Sequence, residues 1–182
     1  MQPLRQLMSA LRQLATPQAC LFTPADLRPL LPDQTDAAFK TLLSRVVRDG
    51  LMTRICRGLY LYDPSLAAPS QLLMRAAIKL RPLDFNYLSL ETVLSDAGVI
   101  SQIPMNRIMV MSSGRSSLIR CGAWGTIEYV HTQQTASSLA GKLHYDTDHQ
   151  CWRASVAQAL KDMRSTHRKT DLIDWNLAHE LV

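Results

Sequence analysis

The amino-acid sequence predicts an α+β protein built in two parts. Three observations carry that prediction. Apolar residues recur at helical spacing through the first fifty residues. After Gly50 the period shortens to β-type alternation. A proline-rich break, "DPSLAAPS" at 63–70, then precedes a second run of helices and three strand-like stretches. The spacing predicts an N-terminal domain over 1–64 and a C-terminal α/β domain, with a small sheet and helices, over 65–182. Hydrophobic residues make up 47% of the 182, enough to bury a core.

The first helix is expected over 4–14, where Leu4, Leu7, Met8, Leu11 and Leu14 share one face. A short second helix follows in "LFTPADLRPLLP", with Thr23 as cap and Pro24 at its first position, where no N–H is needed. The third, in "DQTDAAFKTLLSRVVRDGL", opens on cap candidates Asp33 and Thr35 and closes at Gly50. Its apolar side is Ala38, Phe39, Leu42, Leu43, Val46 and Val47. Leu51, Thr53 and Ile55, then Leu59 and Leu61, read as two strands around a basic turn, "CRG". Three helices and a hairpin in about 62 residues is the order of a winged helix-turn-helix.

In the second part, "QLLMRAAIKL" reads as a helix stopped by Arg81-Pro82, and "YLSLETVLSDAGVI" as one capped by Ser89 and ended at Gly98. "RIMVMSS", "SLIRC" and "GAWGTIEYVHT" are strand-like, with glycine and serine turns between them. The chain ends in two helical stretches, "RASVAQALKDMRSTH" and "TDLIDWNLAHELV". Trp124, Trp152 and Trp175 read as core or interface anchors.

The formal net charge is +5. Residues 1–64 carry +3 of it, from eight Lys/Arg against five acids. Lys40, Thr41, Ser44, Arg45 and Arg48 fill the face of the third helix that its apolar residues leave open. Cations and small hydroxyls on one helix face suit phosphates and guanine edges in a major groove. Arg54 and Arg57 add cations at the hairpin tip. Cys56 lies between them, where neighbouring cations favour a thiolate, but no second cysteine or histidine lies at metal spacing.

Other chemistries lack their residues. There is no GxGxxG, no GxxxxGK[ST] and no GxSxG. His144, Asp146, Asp148, His149 and Cys151 cluster in "KLHYDTDHQC", at spacings of no familiar metal site. Glu128 and Asp96 could be nuclease carboxylates, but no lysine stands two residues after Glu128. Neither an enzyme nor a metal or other cofactor is expected. Cys20, Cys56, Cys121 and Cys151 are widely spaced, as reduced thiols of a cytoplasmic protein would be. The arginine-containing N-terminus does not read as a signal peptide, and no apolar run approaches the length of a membrane span.

Several stretches together resemble one family. "LLSRVVRDGLMTRICRGLYLY" is similar to the segment of basic wing and R-x-x-R-G-[LV]-Y that ends the winged helix of AbiEi-type antitoxins. "NYLSLETVLSDAGVISQIP" resembles that family's helix after the linker, with Val93 where a small residue is usual. "IMVMSSGRSSLIRCGAWGTIEYVHT" resembles its next strand pair, and "ASVAQALKDM" its A-x-x-x-A-L-x-D helix. These antitoxins belong to type IV toxin–antitoxin (abortive infection) systems of phage defence.

The resemblance implies an autorepressor that binds operator DNA at inverted repeats and neutralises a nucleotidyltransferase-like toxin. A monomer or weak dimer would bind the repeats cooperatively. Arg54, Arg57 and Gly58 match the family's wing. The DNA-binding set read from the sequence is therefore Thr35, Lys40, Thr41, Ser44, Arg45, Arg48, Arg54, Arg57 and Gly58. Arg115, in the basic turn "SGRSS", is assigned to the antitoxin surface. The alternative is a winged-helix transcription regulator whose C-terminal domain senses a ligand or partner other than a toxin.

Overall fold

The computed structural model describes residues 2–101 and 106–182. The chain divides into two compact units, 1–72 and 73–182. The division falls inside a helix that starts at Pro69, a few residues beyond the expected boundary at 64.

The first unit begins with α1 (Pro3–Leu14), which buries Leu7 and Leu11. A two-residue strand, β1 (Leu21–Phe22), follows. Then comes α2 (Pro24–Leu27), a single turn closed by a capping box. The Asp26 amide donates to Thr23 Oγ1 at 3.3 Å, and the Thr23 amide donates to Asp26 Oδ2 at 2.7 Å. A 3₁₀ turn over Arg28–Leu30 leads on. α3 spans Asp36–Arg48, and its cap is Thr35, which accepts from the Ala38 amide; Asp33 lies outside the helix.

The chain then returns through β2 (Thr53–Cys56) and β3 (Leu59–Leu61). The three strands form an antiparallel sheet in the order β1-β3-β2. An irregularity between Arg54 and Cys56 shifts the register, as a bulge does. Leu7, Leu11, Leu27, Phe39, Leu43 and Val46 are central to the core, which α1, α2 and α3 close. Leu42 and Val47, expected inside, are only half-buried, and Ala38 is exposed.

The second unit is built on a six-stranded mixed sheet. α4 (Pro69–Leu80) leads into β4 (Asn86–Leu88) and α5 (Leu90–Asp96). Then come β5 (Arg107–Ser112), β6 (Ser117–Arg120) and β7 (Thr126–His131). β8 (Leu143–Asp146), β9 (Cys151–Ala154), α6 (Val156–Ser165) and α7 (Trp175–Glu180) complete the chain. The strand order is β6-β7-β5-β4-β9-β8. β5 runs parallel to β7, and β4 parallel to β9; the other pairs are antiparallel.

Every β4 residue is buried, as are the last five residues of β5, so the centre of the sheet is covered on both faces. The expected sheet of three strands is thus half of the real one. The polar stretch at 142–151, weighed above only as a metal site, is mostly the β8–β9 hairpin.

A buried carboxylate ties the unit together. Asp162 on α6 is fully enclosed. It accepts from Ser89 Oγ at 2.6 Å, Tyr87 Oη at 3.1 Å, Gln158 Nε2 at 2.8 Å and Gln134 Nε2 at 2.9 Å. Four donors satisfy both oxygens, as a buried acid requires. Ser89 therefore makes no side-chain cap on α5, although it stands at the cap position. Burial, and then the nearby Asp162, push the Tyr87 hydroxyl pKa well above its ordinary value, so it remains a donor. Among the described residues, no helix is long and apolar enough to cross a membrane.

Candidate nucleic-acid interface

α3 is amphipathic because Phe39, Leu43 and Val46 recur at intervals of three and four and fill the core. Its other side stands in solvent, with Lys40, Thr41, Ser44, Arg45 and Arg48 all exposed. The β2–β3 turn is tight. Gly58 supplies a φ of +79°, which side chains with a Cβ adopt at a strain. That turn brings the end of β2 beside α3.

Between α3 and the hairpin lies an open groove of about 630 Å³. Five of the residues named from the sequence line it: Lys40, Ser44, Arg54, Arg57 and Gly58. Its apolar lining is mainly Phe39, Leu43 and Tyr60. Four cations line it against one acid, Asp36. Lys40 and Arg57 have no acidic partner among the described residues. Arg54 Nε donates to the Cys56 carbonyl at 3.3 Å, which holds the side chain along the turn.

The fourth cation, Arg28, was missed from the sequence. It donates to the carbonyls of Leu31 and Gln34, both at 2.6 Å. It also pairs with Asp36 at 3.4 Å and lies 5.5 Å from the Phe39 ring centre. Its first task is to strap the turn before α3 onto that helix. Only its place beside a proline in "DLRPLLP" hinted at a fixed turn.

The remaining predicted residues lie outside the groove lining. Thr35 caps α3. Thr41 Oγ1 donates back to the Ala37 carbonyl at 2.9 Å, as Ser44 Oγ does to Lys40 at 3.1 Å. Both hydroxyls keep acceptor capacity toward solvent. Arg45 and Arg48 converge on Asp49, at 3.3 and 3.2 Å. One carboxylate thus offsets part of their charge. Arg115 belongs to the second unit, exposed between β5 and β6. Cys56 is buried against its own turn, its Sγ 3.8 Å from the Arg57 carbonyl. It is placed for packing rather than for reaction in the groove.

The carboxylates considered for catalysis are paired with arginine. Glu128 holds Arg107 at 2.6 Å and Arg168 at 2.7 Å. Asp96 pairs with Arg153. Asp146 accepts from the Asp148 and His149 amides, and its Oδ2 lies 2.7 Å from His149 Nδ1. No group of three potential metal ligands occurs among the described residues.

No family profile matches the chain, and no curated protein matches it. The crystal structure of the RV2827C protein from Mycobacterium tuberculosis is similar at 16% identity and a TM-score of 0.48. The match covers 77% of this chain and 48% of that one, so the chain spans about half that protein's length.

Proposed function

We propose that the first unit is a winged helix-turn-helix that binds operator DNA. α3 enters the major groove, and the β2–β3 turn follows the neighbouring phosphates. The observation that carries this reading is the groove itself: Lys40, Arg54 and Arg57 converge from two elements on one open, cation-rich surface. Such a surface neutralises phosphates, and the exposed face of α3 is of a width the major groove admits. In the same proposal the chain is an antitoxin of a type IV system that represses its own operon. That half rests on the motifs in 42–62, 86–104, 108–132 and 154–163. The second unit neutralises a nucleotidyltransferase-like toxin encoded beside it.

Two measurements test the two halves separately. In a gel shift, the full chain should bind the inverted repeat upstream of its own gene more tightly than shuffled DNA. Equal affinity for both at moderate salt would reduce the reading to nonspecific polyanion binding. Co-expression with the adjacent gene should restore growth. If that gene encodes no nucleotidyltransferase, or growth is not rescued by soluble protein, the antitoxin half fails and the DNA-binding half stands.

A further inference from the structure

The groove of the first unit sets one acid, Asp36, among its four cations. The α3 residues in its lining are Asp36, Phe39, Lys40, Leu43 and Ser44. Spacings of three and four place them on one stripe of the helix. Phe39 and Leu43 are the buried edge of that stripe. Asp36, Lys40 and Ser44, each four residues from the next, form its exposed row. Asp36 opens the row from the first turn of α3. In helix-turn-helix proteins the N-terminal residues of the recognition helix are the ones that contact base edges.

The Asp36 side chain is 84% exposed, yet it is tied at one oxygen. Arg28 Nε lies 3.4 Å from Asp36 Oδ1. The two outer nitrogens of the same guanidinium donate to the carbonyls of Leu31 and Gln34. The cation beside Asp36 is therefore itself fixed by backbone, and it braces the carboxylate on the solvent side of the helix.

An acid in this place is unfavourable if the groove meets only phosphates, because the two charges repel. A carboxylate can only accept hydrogen bonds. The donors in the major groove are the amino groups of cytosine and adenine. Adenine carries its N7 acceptor beside the amino group, where it opposes the second carboxylate oxygen. Cytosine carries no such acceptor and is the better fit.

With α3 in the major groove, as proposed above, we infer that Asp36 reads a cytosine amino group in the operator. Arg28 is the positioning residue that holds the carboxylate. Asp36 thus supplies base selectivity, while the cations around it supply affinity.

An acid in the first turn also complements the helix dipole, so the test reads base preference rather than affinity or stability alone. Binding sites for the full chain are enriched from a randomised duplex library. Affinities are then measured for the enriched site and its single-base variants. The parent should prefer cytosine at one position by roughly tenfold or more. D36N replaces one carboxylate oxygen with an amino donor, and an amide of that kind pairs with adenine N6 and N7. It should move the preference at that position from cytosine to adenine. D36A should lose the preference there and bind unrelated DNA more tightly, since a charge that repels phosphates is gone. No enriched site for the full chain sinks the DNA-binding reading, and this assignment with it. An enriched site whose preferences D36N and D36A leave unchanged overturns the assignment alone. A cytosine preference that both variants lose, with no gain for adenine in D36N, marks Asp36 as a helix-end residue and overturns the assignment too.

Discussion

The two units treat their charged residues in opposite ways. In the first, cations gather at the surface and several face solvent: Lys40 and Arg57 line a groove with a single acid in its lining. In the second, arginines are mostly turned to structural work. Arg107 and Arg168 grip Glu128, Arg168 also reaches Glu91, Arg153 joins Asp96, and Arg81 spans Ser112 and Ser117. Net charge barely separates the units; partner geometry does. An arginine that already has a carboxylate has little left for a phosphate, whereas a cation lining an open groove retains its full field. The contrast predicts that substitutions in the second unit act mainly on stability and those in the first mainly on binding.

The largest expected effect lies at Asp162. Asp162→Ala removes the one acceptor shared by Ser89, Tyr87, Gln134 and Gln158. Buried donors without a partner each cost about 1–3 kcal/mol, and partial rearrangement leaves a loss of roughly 3–5 kcal/mol. Urea unfolding of the second unit measures it. DNA affinity at a temperature where the variant is folded should be unchanged. A loss below about 1 kcal/mol would show that the network is not what holds α6 to β4.

The next effect belongs to the groove. Arg54→Ala or Arg57→Ala should weaken operator binding by about 1–3 kcal/mol if the arginine reads a base. If it meets a phosphate, all sequences weaken alike and the salt slope falls by about one. Melting temperature should hardly move. A drop in stability with no change in binding would erase the distinction between the units.

These two predictions differ in how far the sequence could supply them. The helices of the first unit were legible because their signals are local. Thr23 and Thr35 cap, Pro24 opens a turn, and the apolar spacing picks out Phe39, Leu43 and Val46. The hairpin was legible from the change of period and from Gly58. β1 was not, because two residues carry no period. β4 was missed because Asn86, Tyr87 and Leu88 are all buried and run straight into α5. β8 hides as an edge strand with His144 and Tyr145 exposed, which reads as a polar loop. Trp152, read as a core or interface anchor, stands nearly half in solvent and so does not anchor the core. Of the candidate site, five residues converge on one groove. The strap by Arg28 needs carbonyls up to six residues away and could not be read from composition. Asp162 gathers donors as distant as 75 positions, a purely tertiary fact.

A smaller effect sharpens the contrast within the first unit. Arg45 and Asp49 are four residues apart on one helix, and Arg48 shares the same carboxylate. In this respect they resemble the arginines of the second unit. Asp49→Asn frees both guanidinium groups without removing a hydrogen-bonding side chain from the helix end. Exposed pairs are weak, so DNA affinity should rise by no more than about 1 kcal/mol, with a steeper salt dependence. Unchanged affinity and slope would place both arginines away from DNA and confine the contact to the groove.

The smallest effect concerns acid and the β8–β9 hairpin. Burial disfavours the charged Asp146 carboxylate, but hydrogen bonds and charge from His149, with Arg153 beyond, outweigh it. Its pKa is held below the ordinary value of 3.8. A carboxyl with a depressed folded pKa stabilises the fold above its unfolded pKa and loses that contribution as pH falls through the folded one. Asp146→Asn keeps an oxygen that can accept from the Asp148 and His149 amides, so it deletes mainly the charge. The variant should be less stable than the parent at pH 6, with the deficit narrowing below pH 4. Urea midpoints of both proteins across that range decide it. A deficit constant with pH would mean that Asp146 serves the turn through hydrogen bonds alone and that its charge is neutral to stability.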